Sequence, residues 1–178
     1  MIIAGIDYSM SSPAIAVWDD ATECKFENIK FFNLNGTKKY QGIHGNIRID
    51  PLPLYSCPEE RYLKNATWAV DVLKANGVQK VNLEGYAMNS SSGLVFNIGE
   101  CAGALKRAMW EAGIPFVSNA PTAVKKSFHG KGNANKQAMV EAFVERFGVS
   151  ISDILGCKFA DAPANDLVDA AANMLHQP

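Results

Sequence analysis

The sequence predicts an α/β fold: a five-stranded mixed sheet that begins as an antiparallel meander, continues with parallel strands, and carries helices on its faces. Three observations predict it. Short β-branched and aromatic runs fill the start of the chain, apolar residues at helical spacing dominate the remainder, and brief strand-like runs interrupt those helices. Strands that lead as a meander and then alternate with helices imply a mixed sheet covered by helices.

The run Ile2-Ile3-Ala4-Gly5-Ile6 is short and apolar and ends on Asp7 in a turn-like stretch, Tyr8 to Pro13, so it reads as a buried strand. Ala14 to Trp18 makes a second strand that hairpins back, and Lys25 to Leu34, rich in Phe and Ile, a third. Residues 35–58 hold three Gly and three Pro with no sustained period, which predicts an irregular surface insertion. Glu59 to Asn76 has helical spacing and stops before Gly77, and Val78 to Leu83 is a strand that ends on Glu84. Val95, Ile98, Ala102, Leu105 and Met109 recur at helical intervals in a helix from Leu94 to Trp110. Val95, Ile98 and Met109 fit either a dimer face or ordinary core. A short strand follows at Ile114 to Val117, then a helical turn at Pro121 to Phe128 and an amphipathic helix at Asn135 to Phe147. The last helix, Ala164 to Leu175, is Ala-rich, with Leu167, Val168, Ala171 and Leu175 facing inward.

The chain has 178 residues, 48% hydrophobic and 20% charged, which suits a single domain that buries its own core. No apolar run approaches the roughly 18 residues that span a bilayer, and the start lacks the basic flank and cleavage site of a signal peptide, so a cytoplasmic protein with no membrane contact is expected. Cys24, Cys57, Cys101 and Cys157 are scattered with no C-x-x-C pair and read as buried thiols. A net charge of −1 does not advertise a nucleic-acid binder. Acids gathered at a metal site lower the net charge, however, while a local basic surface still contacts phosphate.

Asp7 ends the first strand, Glu84 ends a later one, and Asp166 and Asp169 lie three residues apart on the last helix, hence on one face. A lone Asp at a strand end is ordinarily a turn former or a cap, as Asp161 is expected to be, and Asp19, Asp20 and Glu100 read as solvated acids. The conjunction of four acids carries the chemistry. If the two strands are neighbours and the helix packs across their ends, the carboxylates converge, and their repulsion calls for a cation. Oxygen-only ligation favours Mg²⁺ or Mn²⁺, and two such ions about 3.5–4 Å apart can clamp the attacking and leaving oxygens of a phosphodiester.

The segments GIDYSMSSPAIAVWD, NLEGYAMNSSSGLVFNIGECAGALKRAM, PTAVKKSFHGKGNANKQAMVEAFVERFG and NDLVDAAANML, in this order and spacing, resemble RuvC-like Holliday junction resolvases, especially phage-type members. The resemblance covers roughly the first 18 residues and then Val78 to Leu175, with the D-x-x-D of the last helix its most discriminating part. It implies an RNase H-like fold and a homodimeric, Mg²⁺-dependent endonuclease that nicks four-way DNA junctions symmetrically, in the host cytoplasm if phage-encoded. Asp7, Glu84, Asp166 and Asp169 would be metal ligands, two ions per site. Lys125 or Lys126, with Lys136, would lie near the scissile phosphate, where a lysine neutralises developing charge; Lys131 lies in the same basic segment as a further DNA contact. Two departures stand out. Where the family places a junction-entering aromatic, this chain has Ala87, flanked by Tyr86 and Met88, either of which could wedge between bases. The resemblance does not extend over residues 35–58.

The opening GIDYSMSS is also similar to the phosphate loop of actin-like ATPases, but those need a second domain for which the chain is too short, and the stretch Gly130 to Lys136 lacks P-loop spacing, so no nucleotide cofactor is expected. Two alternatives stay open: an RNase H-like nuclease acting on flaps or RNA–DNA hybrids, and a non-catalytic branched-DNA-binding module.

Overall fold

A computed structural model describes residues 1–85 and 94–177. Strands β1 (Ile2–Asp7), β2 (Ala14–Asp19) and β3 (Ile29–Asn35) form the expected antiparallel meander. Two further strands, β4 (Gly42–His44) and β5 (Ile47–Pro51), extend it, and after helix α1 (Pro58–Ala75) come β6 (Lys80–Glu84), helix α2 (Leu94–Glu111) and β7 (Phe116–Asn119). Helices α3 (Pro121–His129), α4 (Lys136–Phe147), α5 (Ile151–Leu155) and α6 (Ala164–Leu175) complete the chain.

The sheet order is β4-β5-β3-β2-β1-β6-β7. The sequence predicted five strands; the described residues form seven, because the segment read as irregular contributes β4 and β5. Its short alternation Ile47-Arg48-Ile49 buries the two isoleucines and exposes the arginine between them, a period-2 pattern too brief to stand out among the surrounding Gly and Pro. β5 pairs parallel to β3, and the hairpin back to β4 forms the sheet edge.

Alternation along each strand sorts the core into two layers. Ala4, Ile6, Ile15, Val17, Val81 and Leu83 pack with α1 and α2 on one face. Ala14, Ala16, Phe31 and Ile49 pack with α4 and α6 on the other. Gly5 points to that second face, where α6 lies so close that a Cβ would sit 2.0 Å from Met174 N and 2.2 Å from Ala170 O. Only glycine fits there, and the small residues of α6 give the helix backbone the same closeness.

Local expectations were met unevenly. Asn135 caps α4 by accepting from Ala138 N at 2.9 Å, and Gly148 ends it in the left-handed conformation. Asp161 is not a side-chain cap: Pro163 holds the N-cap position of α6, and Asp161 contributes only its carbonyl, to Asn165 N. Of the four cysteines, only Cys101 is buried; Cys57 is exposed at the start of α1, and Cys24 and Cys157 are half-buried. The apolar stripe of α2 divides, with Met109 in the core and Val95 exposed. No helix of the described residues is long and apolar enough to cross a membrane.

Candidate active site

Register and pleat bring the strand acids together. β1 and β6 are parallel neighbours with Ile6 opposite Leu83, so Asp7 and Glu84 follow side by side at the same sheet edge. Since Ala4, Ile6, Val81 and Leu83 point to the α1–α2 side, Asp7 and Glu84 point to the other, toward α6. The contact at Gly5 fixes α6 against β1, and its first turns carry Asp166 and Asp169 to the same place.

Electrostatics shows how close the four are. Burial first, and then the charges of Glu84, Asp169 and Asp166, push the Asp7 carboxyl well above the ordinary carboxylate range. Glu84 is raised by burial, against a hydrogen bond with Asp7 and the charge of Lys125. Asp166 is raised by burial and partly relieved by the Ser12 hydroxyl, Lys136 and Asn165. Asp169 is pushed up to about 7 by burial and then Glu84, with Asp166 adding and Lys125 and Lys136 opposing. Like charges crowded in a low-dielectric pocket hold protons in default of a cation.

The donor set fits a hard divalent ion. It is all oxygen, as Mg²⁺ and Mn²⁺ require. One oxygen, Asp166 Oδ2, is buried with no hydrogen-bond partner, whereas Oδ1 accepts from Asn165 Nδ2 at 2.8 Å. Among the described residues no three acidic, His or Cys side chains already stand as a closed ion-holding group. The carboxylates are nonetheless close enough to perturb one another.

The basic residues separate. Lys125, half-buried on α3, acts on both Glu84 and Asp169, and Lys136, at the start of α4, acts on Asp166 and Asp169. Lys126 and Lys131 are exposed, and neither figures among the charges felt by the four acids. Of the pair Lys125 and Lys126, the structure therefore brings Lys125 to the acids. Tyr86 and Met88 lie outside the described residues.

Sequence reasoning missed the residues that support the acids. Asn33, fully buried on β3, donates from Nδ2 to Ser12 Oγ at 3.0 Å, Ser12 O at 3.2 Å and Pro13 O at 3.0 Å. Because Ser12 Oγ accepts from Asn33, its own proton is free for the Asp166 carboxylate. Asn82 Nδ2 donates to His176 O at 2.9 Å, and the His176 ring meets Ser127 Oγ at 2.9 Å, joining β6, the end of α6 and α3. The one sequence signal was Asn at inward strand positions, a polar residue where the pattern calls for an apolar one. Beside the acids opens a cleft of about 340 Å³, with Asp7, Glu84, Tyr8, Ile98, Cys101 and Lys106 in its walls.

A mixed sheet faced by helices, with acids converging from two parallel strands and the last helix, defines an RNase H-like domain with a carboxylate centre. The family model described as "Crossover junction endodeoxyribonuclease RuvC" matches residues 50–168, well over half of the chain. The chain belongs to the RuvC family. It is 27% identical over 172 residues to a crossover junction endodeoxyribonuclease RuvC of Thermus thermophilus, covering 97% of this chain and 90% of that one. In fold it is similar to T. thermophilus RuvC in complex with a Holliday junction substrate, with a TM-score of 0.63 at 23% identity over 98% of this chain and 91% of the other. It is similar also to the Fowlpox virus resolvase with its Holliday junction DNA, with a TM-score of 0.51 at 15% identity, covering 98% and 93%.

Proposed function

We propose that this protein is a structure-selective DNA endonuclease that resolves four-way junctions by metal-dependent phosphodiester hydrolysis, acting as a homodimer that makes paired symmetric nicks. The observation that carries the reading is the convergence of Asp7, Glu84, Asp166 and Asp169 on the α6 side of one sheet edge. Family membership and the names of the relatives support the junction as substrate. Residues 1–178 act as one nuclease domain, and no nucleotide cofactor is used.

The four carboxylates would hold two Mg²⁺ ions, with Mn²⁺ able to substitute. Ions held by these four acids would supply activation of water as a nucleophile and neutralisation of charge on the phosphodiester oxygens. The residues of the chain do the rest. Asn165 holds Asp166 by donating to Oδ1, and the Ser12 hydroxyl eases its charge, leaving Oδ2 for ligation. Lys125 and Lys136, placed against the acids from α3 and α4, stabilise the negative charge that builds on the phosphoryl group. The partial burial of the acids strengthens each of these interactions.

The test compares a synthetic four-way junction, a flap and an RNA–DNA hybrid, each with Mg²⁺ and with EDTA. Junction cleavage in paired nicks that requires Mg²⁺ is expected. Preferential cutting of the hybrid or flap would replace the substrate assignment, and binding without cutting of any of them would leave a branched-DNA-binding module.

A further inference from the structure

The edge that carries the acids also carries an arginine outside the segments that suggested a nuclease. β1, β3, β5, β6 and β7 all run in one direction, since β2 is antiparallel to both β1 and β3 and the pairs β3–β5, β1–β6 and β6–β7 are parallel. The loop leaving β5 at residues 52–57, and the start of α1 after it, therefore open on the same edge as Asp7 and Glu84. Asn65 ties α1 to that edge, donating from Nδ2 to Met10 O at 3.1 Å in the loop that follows Asp7.

Arg61 lies one turn before Asn65 on the same face of α1. Its charge reaches the Cys101 thiol, which burial pushes up to about 11 and Arg61 pulls back. Met10 and Cys101 line the cleft that Asp7 and Glu84 also line, so the Asn65–Met10 bond one turn away sets Arg61 near that cleft. The neighbouring cations are committed: Lys64 pairs with Glu60 at 2.7 Å and Arg48 with Asp50 at 2.8 Å. Arg61 is different. Among the described residues no carboxylate pairs with it, its Nε is buried without an acceptor, and its guanidinium lies 5.0 Å from the centroid of the Tyr55 ring. A half-buried guanidinium held on an aromatic face, with donors to spare, suits the oxygens of a phosphate.

We propose that Arg61, seated on Tyr55, binds a backbone phosphate of the DNA beside the scissile one, giving the substrate a contact on the α1 side of the catalytic cleft. The proposal rests on the nuclease reading above. It gives the β5–α1 segment a part in binding that neither the four acids nor the α3–α4 lysines supply.

The test measures binding of a synthetic four-way junction in EDTA by fluorescence anisotropy across a salt series, for wild type, Arg61→Gln, Arg61→Lys and Tyr55→Ala. Loss of one phosphate contact should weaken Arg61→Gln about ten-fold and make the log–log salt slope shallower by about 0.9. Arg61→Lys should keep the slope, because the charge remains, while losing affinity with the planar fork; Tyr55→Ala should lose affinity with an unchanged slope. Thermal melts check that each variant is folded. An Arg61→Gln protein with wild-type affinity and slope would overturn the proposal while leaving the nuclease reading intact. A wild-type protein that neither binds nor cuts the junction would overturn both.

Discussion

Gly5 and Met174 define the closest approach of β1 and α6: a Cβ on the glycine would stand 2.0 Å from the methionine amide nitrogen. Through that contact the last helix is held low enough on the sheet to carry Asp166 and Asp169 to Asp7 and Glu84. Gly5→Ala should therefore act on stability and activity together. Overpacking of this kind costs about 1–3 kcal/mol, which in a domain of this size lowers Tm by about 2–4 °C per kcal/mol. A lateral shift of the acids by about 1 Å would cost about 100-fold in cleavage. Thermal denaturation and junction cleavage of the purified variant measure both, and wild-type values for the pair would remove Gly5 from the account.

Without divalent ions the protein should lose stability as pH rises. The carboxyls of Asp7, Glu84, Asp166 and Asp169 are all raised in the folded state, Asp169 to about 7. Between the unfolded values near 4 and the folded ones, the native state binds more protons than the unfolded chain, so the free energy of unfolding falls across that window. Melting in EDTA from pH 4.5 to 8 should show Tm declining to about pH 7 or above. Added Mg²⁺ should raise Tm more at pH 8 than at pH 5, because it binds the deprotonated acids. A Tm that rises with pH through this range in EDTA would contradict the proton sharing.

Much of this centre was legible before any coordinates. The acids at the ends of apolar runs, and the D-x-x-D at helical spacing, stand out because strand termini and helix faces follow from local periodicity. The neighbouring places of β1 and β6 do not follow from it, since parallel pairing depends on the crossover through α1. Strands β4 and β5 were missed for a related reason: Ile47 and Ile49 gain their burial from the distant core layer of α4 and α6, and nothing local marks them in a stretch dense in Gly and Pro. Lys125 and Lys126 are adjacent on a short helix, and only the packing of α3 near β6 and α6 separates them. Ser12 looked like one more turn residue until Asn33 was seen beneath it.

Ser12 should matter to metal affinity more than to folding. Support groups of metal ligands typically contribute about 10–100-fold in affinity, so Ser12→Ala should weaken Mn²⁺ binding, followed by electron paramagnetic resonance, by at least about ten-fold. Ser12→Thr retains the hydroxyl and should recover most of it. Equal Mn²⁺ affinity for Ser12→Ala and wild type would show that Asp166 needs no such anchor.

The lysines should divide by position. Lys125→Ala and Lys136→Ala should lower the cleavage rate at saturating DNA by about 10²–10³, the loss expected for one group acting on transition-state charge. Lys126→Ala and Lys131→Ala, exposed and away from the acids, should alter only binding and its salt dependence. Single-turnover cleavage of all four variants decides it; a slower chemical step in Lys126→Ala than in Lys125→Ala would reverse the assignment.

The central claim is that the acid cluster is a metal-dependent hydrolytic centre, and Asp7→Asn tests it most directly, since Asp7 feels all three of the other acids. The measurement is Mg²⁺-dependent cleavage of a four-way junction beside binding of the same junction in EDTA. The account predicts cleavage abolished with binding largely intact; undiminished cutting by Asp7→Asn would contradict it.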